Sequence, residues 1–221
     1  MSMYLTANII VCACALAGFI YGGIKFFRPR KPLYAQMITL SLGCIAFGRL
    51  FYIVRLMTGG NLLENFQLGF LGIIGSLMFF FSSNFGTVDS LLDDRSKEFK
   101  KYRLISFAAP CAAIVLYIAL FLLSNVTLLW KILGAVMTLF IIPTSYFNLK
   151  HLIFPDVDFG VVKCLRPYNL LALIYEVAIF AECFAMSRNN ELVTFVCCCV
   201  IGLITIAMIP LIVRGFEKWK A

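Results

Sequence analysis

Two carboxylates stand inside an apolar run of the chain. Within Pro167–Ser187, PYNLLALIYEVAIFAECFAMS, Glu176 and Glu182 are the only acids. The run is long enough to cross a bilayer as a helix. An ionisable side chain at that depth is costly and normally meets a partner or a wet cavity. Two bases occupy comparable places in other apolar runs, Arg49 and Lys131. At a rise of about 1.5 Å per residue, Arg49 lies roughly 24 Å and Glu182 roughly 22 Å from the basic end of their runs. Lys131 falls at a similar height, while Glu176 lies roughly two helical turns deeper, near the midplane.

This spacing suits a pocket open to the outer side. Arg49 and Lys131 would hold an anionic or polar small ligand, with Glu182 as their counter-ion at rest and Glu176 as a proton acceptor at the floor. The plainer reading is a set of interhelical salt bridges with snorkelling bases, and for Lys131, Arg55 and Arg188 it is the better one. Glu176 is too deep to snorkel. It is expected to be protonated at rest, hydrogen-bonded to Tyr175, Asn169, Ser41 or Ser76.

Other chemistries are excluded by residue type. A single histidine, His151, rules out bis-histidine haem ligation and a HExxH zinc site, and no His-based triad is expected. Rhodopsins share a seven-helix plan, but no lysine lies between Leu192 and Val213 to carry a retinal Schiff base. Asp89, Asp93 and Asp94 form one acidic cluster, which Asp156 and Asp158 do not match with a second. A solvated, ion-paired loop is therefore expected rather than a magnesium–diphosphate site. The nine cysteines lie in or beside apolar runs, without the spacing of a zinc site or a disulfide framework. No metal or cofactor is expected. Cys164, near the membrane edge, would be open to palmitoylation.

The elements that position these residues are legible in composition. The chain has 221 residues, 62% of them hydrophobic and 14% charged, against about a quarter charged in soluble domains. Seven apolar runs, Tyr4–Lys25, Leu33–Val54, Phe66–Gly86, Leu104–Leu123, Leu128–Leu149, Pro167–Ser187 and Leu192–Val213, each approach the roughly 20 residues of a spanning helix. They lack the alternation of a membrane β-barrel. The expected fold is all-α, one polytopic domain over 1–221 with seven transmembrane helices. Pro110, Pro143 and Pro210 would kink their helices. Glycine pairs such as Gly18/Gly22, Gly43/Gly48 and Gly69/Gly72 would let helices approach closely.

Basic residues set the orientation. Lys25, Arg28, Arg30 and Lys31 share one side with Arg95, Lys97, Lys100, Lys101 and Arg103, and with Lys150, Lys163, Arg166, Arg214, Lys218 and Lys220. Only Arg49, Arg55, Lys131 and Arg188 remain for the other. The N-terminus is expected outside and the C-terminus in the cytoplasm. The net charge of +8 then reads as contact with anionic lipid headgroups rather than with nucleic acid.

A faint repeat accompanies this plan. Tyr21 and Lys25 recur as Tyr146 and Lys150, while Arg49 and Arg55 align with Glu182 and Arg188. Residues 4–86 and 128–213 would be parallel repeats joined by span 104–123, an arrangement found in transporters. The leading functional expectation is a plasma-membrane carrier or binding protein for a small solute, with its pocket between spans 2, 5 and 6. A seven-helix receptor signalling through Asp89–Arg103 and the C-terminal tail is the alternative. An intramembrane enzyme comes third, since no complete catalytic set can be assembled.

Overall fold

The computed structural model describes residues 3–29, 31–60, 68–85, 88–89, 93, 95–155 and 161–220. Arg30, Asp94, Asp156 and Asp158, with the side chains of Lys163, Cys164, Lys218 and Lys220, lie outside the described residues. The helices are α1 (Met3–Phe26), α2 (Leu33–Met57), α3 (Gly69–Asn84), α4 (Lys100–Ser106), α5 (Ala108–Tyr117), α6 (Leu128–Ile153), α7 (Val161–Ser187) and α8 (Glu191–Lys220). A π-helical turn, Ile118–Leu122, prolongs α5.

Among the described residues, six segments are long and apolar enough to cross a membrane: Met3–Phe26, Leu33–Met57, Lys100–Leu122, Leu128–Ile153, Leu165–Ser187 and Glu191–Gly215. The third expected span, Phe66–Gly86, is represented by the shorter apolar helix Gly69–Asn84. Pro110 sits in the first turn of α5, where its missing N–H costs least. The helix is interrupted at Phe107, just ahead of it. Pro143 and Pro210 lie within the continuous helices α6 and α8.

Six helices pack in a closed ring, each on the next, in the order α1, α2, α3, α6, α7, α8 and back to α1. Helix α5 stands outside the ring and packs on α6. The distribution of side chains is inverted relative to a soluble protein. Asn8, Ser41, Arg49, Ser76, Asn84, Asn148, Asn169, Glu176 and Glu182 are buried, whereas Leu104, Leu203 and Ile24 are well exposed. Apolar side chains turned outward with polar ones turned in are what a hydrocarbon solvent selects, because it offers polar groups no partners. The chain is an integral membrane protein of the helical class.

Glycines bring α2 and α3 into backbone contact. A Cβ on Gly48 would fall 2.7 Å from the Gly69 carbonyl oxygen, and one on Gly72 would fall 2.5 Å from that of Cys44. This is small-residue packing, which replaces the hydrophobic drive that helices lack in lipid. It places the side of α2 bearing Arg49 toward the ring interior, where Arg49 is buried.

Candidate functional site

Toward the end of the ring away from the basic edge, four helices converge on one ion pair. Arg49 of α2 and Glu182 of α7 meet in a bidentate contact: Nη1 donates to Oε1, and Nη2 to Oε2 at 2.6 Å. Both side chains are almost fully buried. Such a fork-to-carboxylate match is geometry that only arginine supplies. Arg49 Nη1 also donates to Asn8 Oδ1 of α1 at 3.1 Å, and Asn8 in turn donates to the Tyr4 carbonyl at 2.8 Å. From α8 the Cys198 thiol donates to Glu182 Oε1 at 3.2 Å. The Tyr52 ring lies 5.9 Å from the guanidinium. A buried pair of charges is tolerated only when its remaining hydrogen-bonding capacity is met, and here three neighbours contribute to meeting it.

Lys131 is not part of this layer. Its Nζ donates to the Leu122 carbonyl at 3.2 Å, at the end of the π-helical turn, where a carbonyl is left without a helical partner. Arg188 lies over the Phe184 ring at 5.7 Å. The structure thus joins Arg49 to Glu182 and seats Lys131 elsewhere.

Glu176 belongs to a second, deeper network. Asn148 of α6 donates from Nδ2 to Glu176 Oε1 at 2.7 Å. Asn84 of α3 donates to Asn148 Oδ1 at 2.6 Å and to Asn169 Oδ1 at 3.0 Å. His151 Nδ1 lies 3.0 Å from Asn84 Oδ1, and its Nε2 lies 3.1 Å from Asp89 Oδ1. Lys150 Nζ bridges Asp89 at 2.6 Å and Asp93 at 2.7 Å. Arg103 closes the series on Asp93 at 2.6 Å. An unbroken polar path therefore runs from Glu176 to the basic edge of the bundle. The expected partners of Glu176 are corrected by it: Tyr175 bonds to Ser76 at 2.7 Å, and Asn169 lies two amides away.

The edge of this path is electrostatically defined. Burial raises the Asp89 carboxyl, but hydrogen bonds from His151 and Lys150, with the Lys150 charge, outweigh it and leave Asp89 below the usual carboxylate range. Asp93 is likewise raised by burial and lowered further by Lys150, the Arg95 amide and Arg103.

Glu176 also lines a cavity of about 110 Å³ between α5, α6 and α7, walled by Ala109, Ala113, Ile141, Ser145 and Phe180. The small residues of α5 leave this room. Among the described residues no cluster of three potential metal ligands occurs, and the described cysteines are unpaired.

The charged members of both networks stood out in the sequence, whereas Asn8, Asn84 and Asn148 did not, and His151 was noted only as the single histidine. Uncharged amides in apolar runs were the available signal, since each must find a partner in lipid. Comparison with protein-family models, curated proteins and solved structures finds no match.

Proposed function

We propose that the chain is a proton-coupled carrier for a small polar or anionic solute in the plasma membrane. In this reading α3 completes seven crossings, the N-terminus is outside, and residues 4–86 and 128–213 are parallel repeats. The observation that carries it is the polar path from Glu176 to Lys150 and Arg103. A carboxyl at the floor of a cavity, linked by hydrogen bonds to one face, is the arrangement a proton-coupled carrier needs. The ring order supports the repeat: exchanging α1, α2, α3 for α6, α7, α8 leaves the circuit unchanged, with α5 as the linking helix.

The Arg49–Glu182 pair is the outer gate. An anionic solute arriving from outside competes with Glu182 for the guanidinium fork, and the displaced carboxylate frees α7 from α2. Lys131 is near the entrance and adds attraction at a distance. The test is uptake of succinate and inorganic phosphate by purified protein in liposomes under an imposed pH gradient. Uptake should require the gradient and be lost in Glu176→Gln. Equal uptake by wild type and Glu176→Gln refutes the proton role, and uptake of neither anion refutes the anion carrier.

A second reading, a membrane sensor, is favoured by the tie between Lys150 and the segment carrying Asp89 and Asp93. Asp89–Arg103 would then report the state of the polar path to a cytoplasmic partner. Hydrogen exchange over 95–106 that ignores Glu176→Gln would remove this reading.

A further inference from the structure

The second network has a property that depends on donors and acceptors alone, and so holds for carrier and sensor alike. A side-chain amide has a donor end and an acceptor end. Asn148 and Asn84 stand in series between Glu176 and His151, so the orientation of one dictates that of the other. In one orientation Asn148 donates to Glu176, Asn84 donates to Asn148, and the Asn84 oxygen faces His151 Nδ1. That oxygen needs a hydrogen on Nδ1. Asp89, a carboxylate, needs one on Nε2. His151 is then an imidazolium and Glu176 a carboxylate.

The opposite orientation is equally complete. With Asn148, Asn84 and Asn169 turned over, Glu176 donates an O–H to the Asn148 oxygen. Asn148 and Asn169 both donate to the Asn84 oxygen, and Asn84 donates to a bare His151 Nδ1. His151 keeps its Nε2 hydrogen on Asp89 and is neutral. Asn169 provides an independent sign that this state is built into the site: its Nδ2 is buried and has no partner in the first orientation, and gains one in the second. An unpaired buried N–H is a costly group to leave.

We infer that Glu176 and His151 form a single proton-binding site, in which one proton resides on either residue and the three asparagines turn over as it changes place. On passing between the states, the Glu176 O–H forms as the His151 Nδ1–H is lost, and the net charge of the pair is conserved. The amides need not conduct the proton, which exchanges through the cavity at one end and the basic edge at the other. They transmit only which end is charged. Loading both residues sets two donors against each other in the relay, and emptying both sets two acceptors, so occupancy by one proton spans a wide pH range. The charged groups facing His151 are Asp89, Lys150 and Asp93. Around Glu176 the described neighbours with titratable or polar ends are Tyr168, Asn148 and, across the cavity, Ser145.

The chain's single histidine makes the test direct. Protein labelled with ¹⁵N-histidine and reconstituted in bilayers gives the charge of His151 by NMR, and infrared difference spectroscopy gives the protonated carboxyl of Glu176. Glu176→Gln should move the His151 midpoint by about one pH unit or more, a tenfold change in proton affinity. In the Asn84→Leu background the same substitution should have no effect on it. Because coupling is reciprocal, His151→Gln should move the Glu176 carboxyl signal by the same amount. A His151 midpoint indifferent to Glu176→Gln, or a Glu176 signal indifferent to His151→Gln, overturns the inference. Either arm suffices if the other variant does not fold.

Discussion

Replacing Glu182 by Gln tests whether the Arg49–Glu182 ion pair holds the ring together. The change keeps the shape of the side chain and removes its charge, leaving Arg49 buried with Asn8 and Cys198 as its remaining partners. Two charge-assisted hydrogen bonds are weakened, each worth about 1.5–3 kcal/mol. A guanidinium stranded without its counter-charge accounts for the rest of a loss of about 3–5 kcal/mol. Arg49→Gln should cost a similar amount, since it strands the carboxylate. The double variant Arg49→Gln/Glu182→Gln removes both charges and should recover at least about 2 kcal/mol of the summed single losses, as contacting pairs do. Unfolding in bicelles, followed by a reversible denaturant titration on all four proteins, measures each term. Losses that add within about 0.5 kcal/mol would mean that the two side chains act independently, and would refute the pairing argument.

Four further outcomes follow from the same geometry. Gly72→Ala must push α2 and α3 apart, because its new methyl would meet the Cys44 carbonyl and Gly48 at backbone contact; a loss of about 1–3 kcal/mol is expected in the same titration. Lys131→Met removes only a partly exposed hydrogen bond to Leu122 and should change stability by no more than about 0.5 kcal/mol. Asp89 and Asp93 titrate below the usual range, so their stabilisation is complete above about pH 4 and is lost as pH falls through their lower folded values. Hydrogen-exchange protection over α4, taken relative to the intrinsic rate at each pH, should therefore be flat from neutral pH to about 5 and fall only below about 4. Tags at Met1 and Ala221 should be accessible from opposite faces of sealed vesicles; accessibility from one face would show an even number of crossings.

The class of the fold was readable because length and apolarity decide it: each long run had to be a helix to satisfy its own backbone. The pairing of Arg49 with Glu182 was readable as well, since two charges at matching depth have few other places to go. The deeper network was less so. Glu176 marked one end, but its route passes through Asn148, Asn84 and His151 on different helices, and their meeting depends on the order of helices around the ring. Depth along a helix can be counted from sequence, whereas the direction a side chain faces around the ring cannot. The cavity escaped for a related reason, being an absence of volume opposite the alanines of α5.

The ion pair also bears on how the chain is made. Arg49 and Glu182 stand 133 residues apart, so a ribosome adding about 5–20 residues per second delivers the carboxylate roughly 7–27 seconds after the arginine. During that interval α2 carries a charge whose insertion costs at most about 2.5–3.5 kcal/mol, the figure for a helix centre on translocon scales, and of its final set only Asn8 on α1 and Tyr52 on α2 itself have been made. The ring likewise cannot close until α8 reaches α1. Assembly of the ring therefore lags the insertion of α2: until Glu182 has been made, Arg49 is without the counter-charge of its final site.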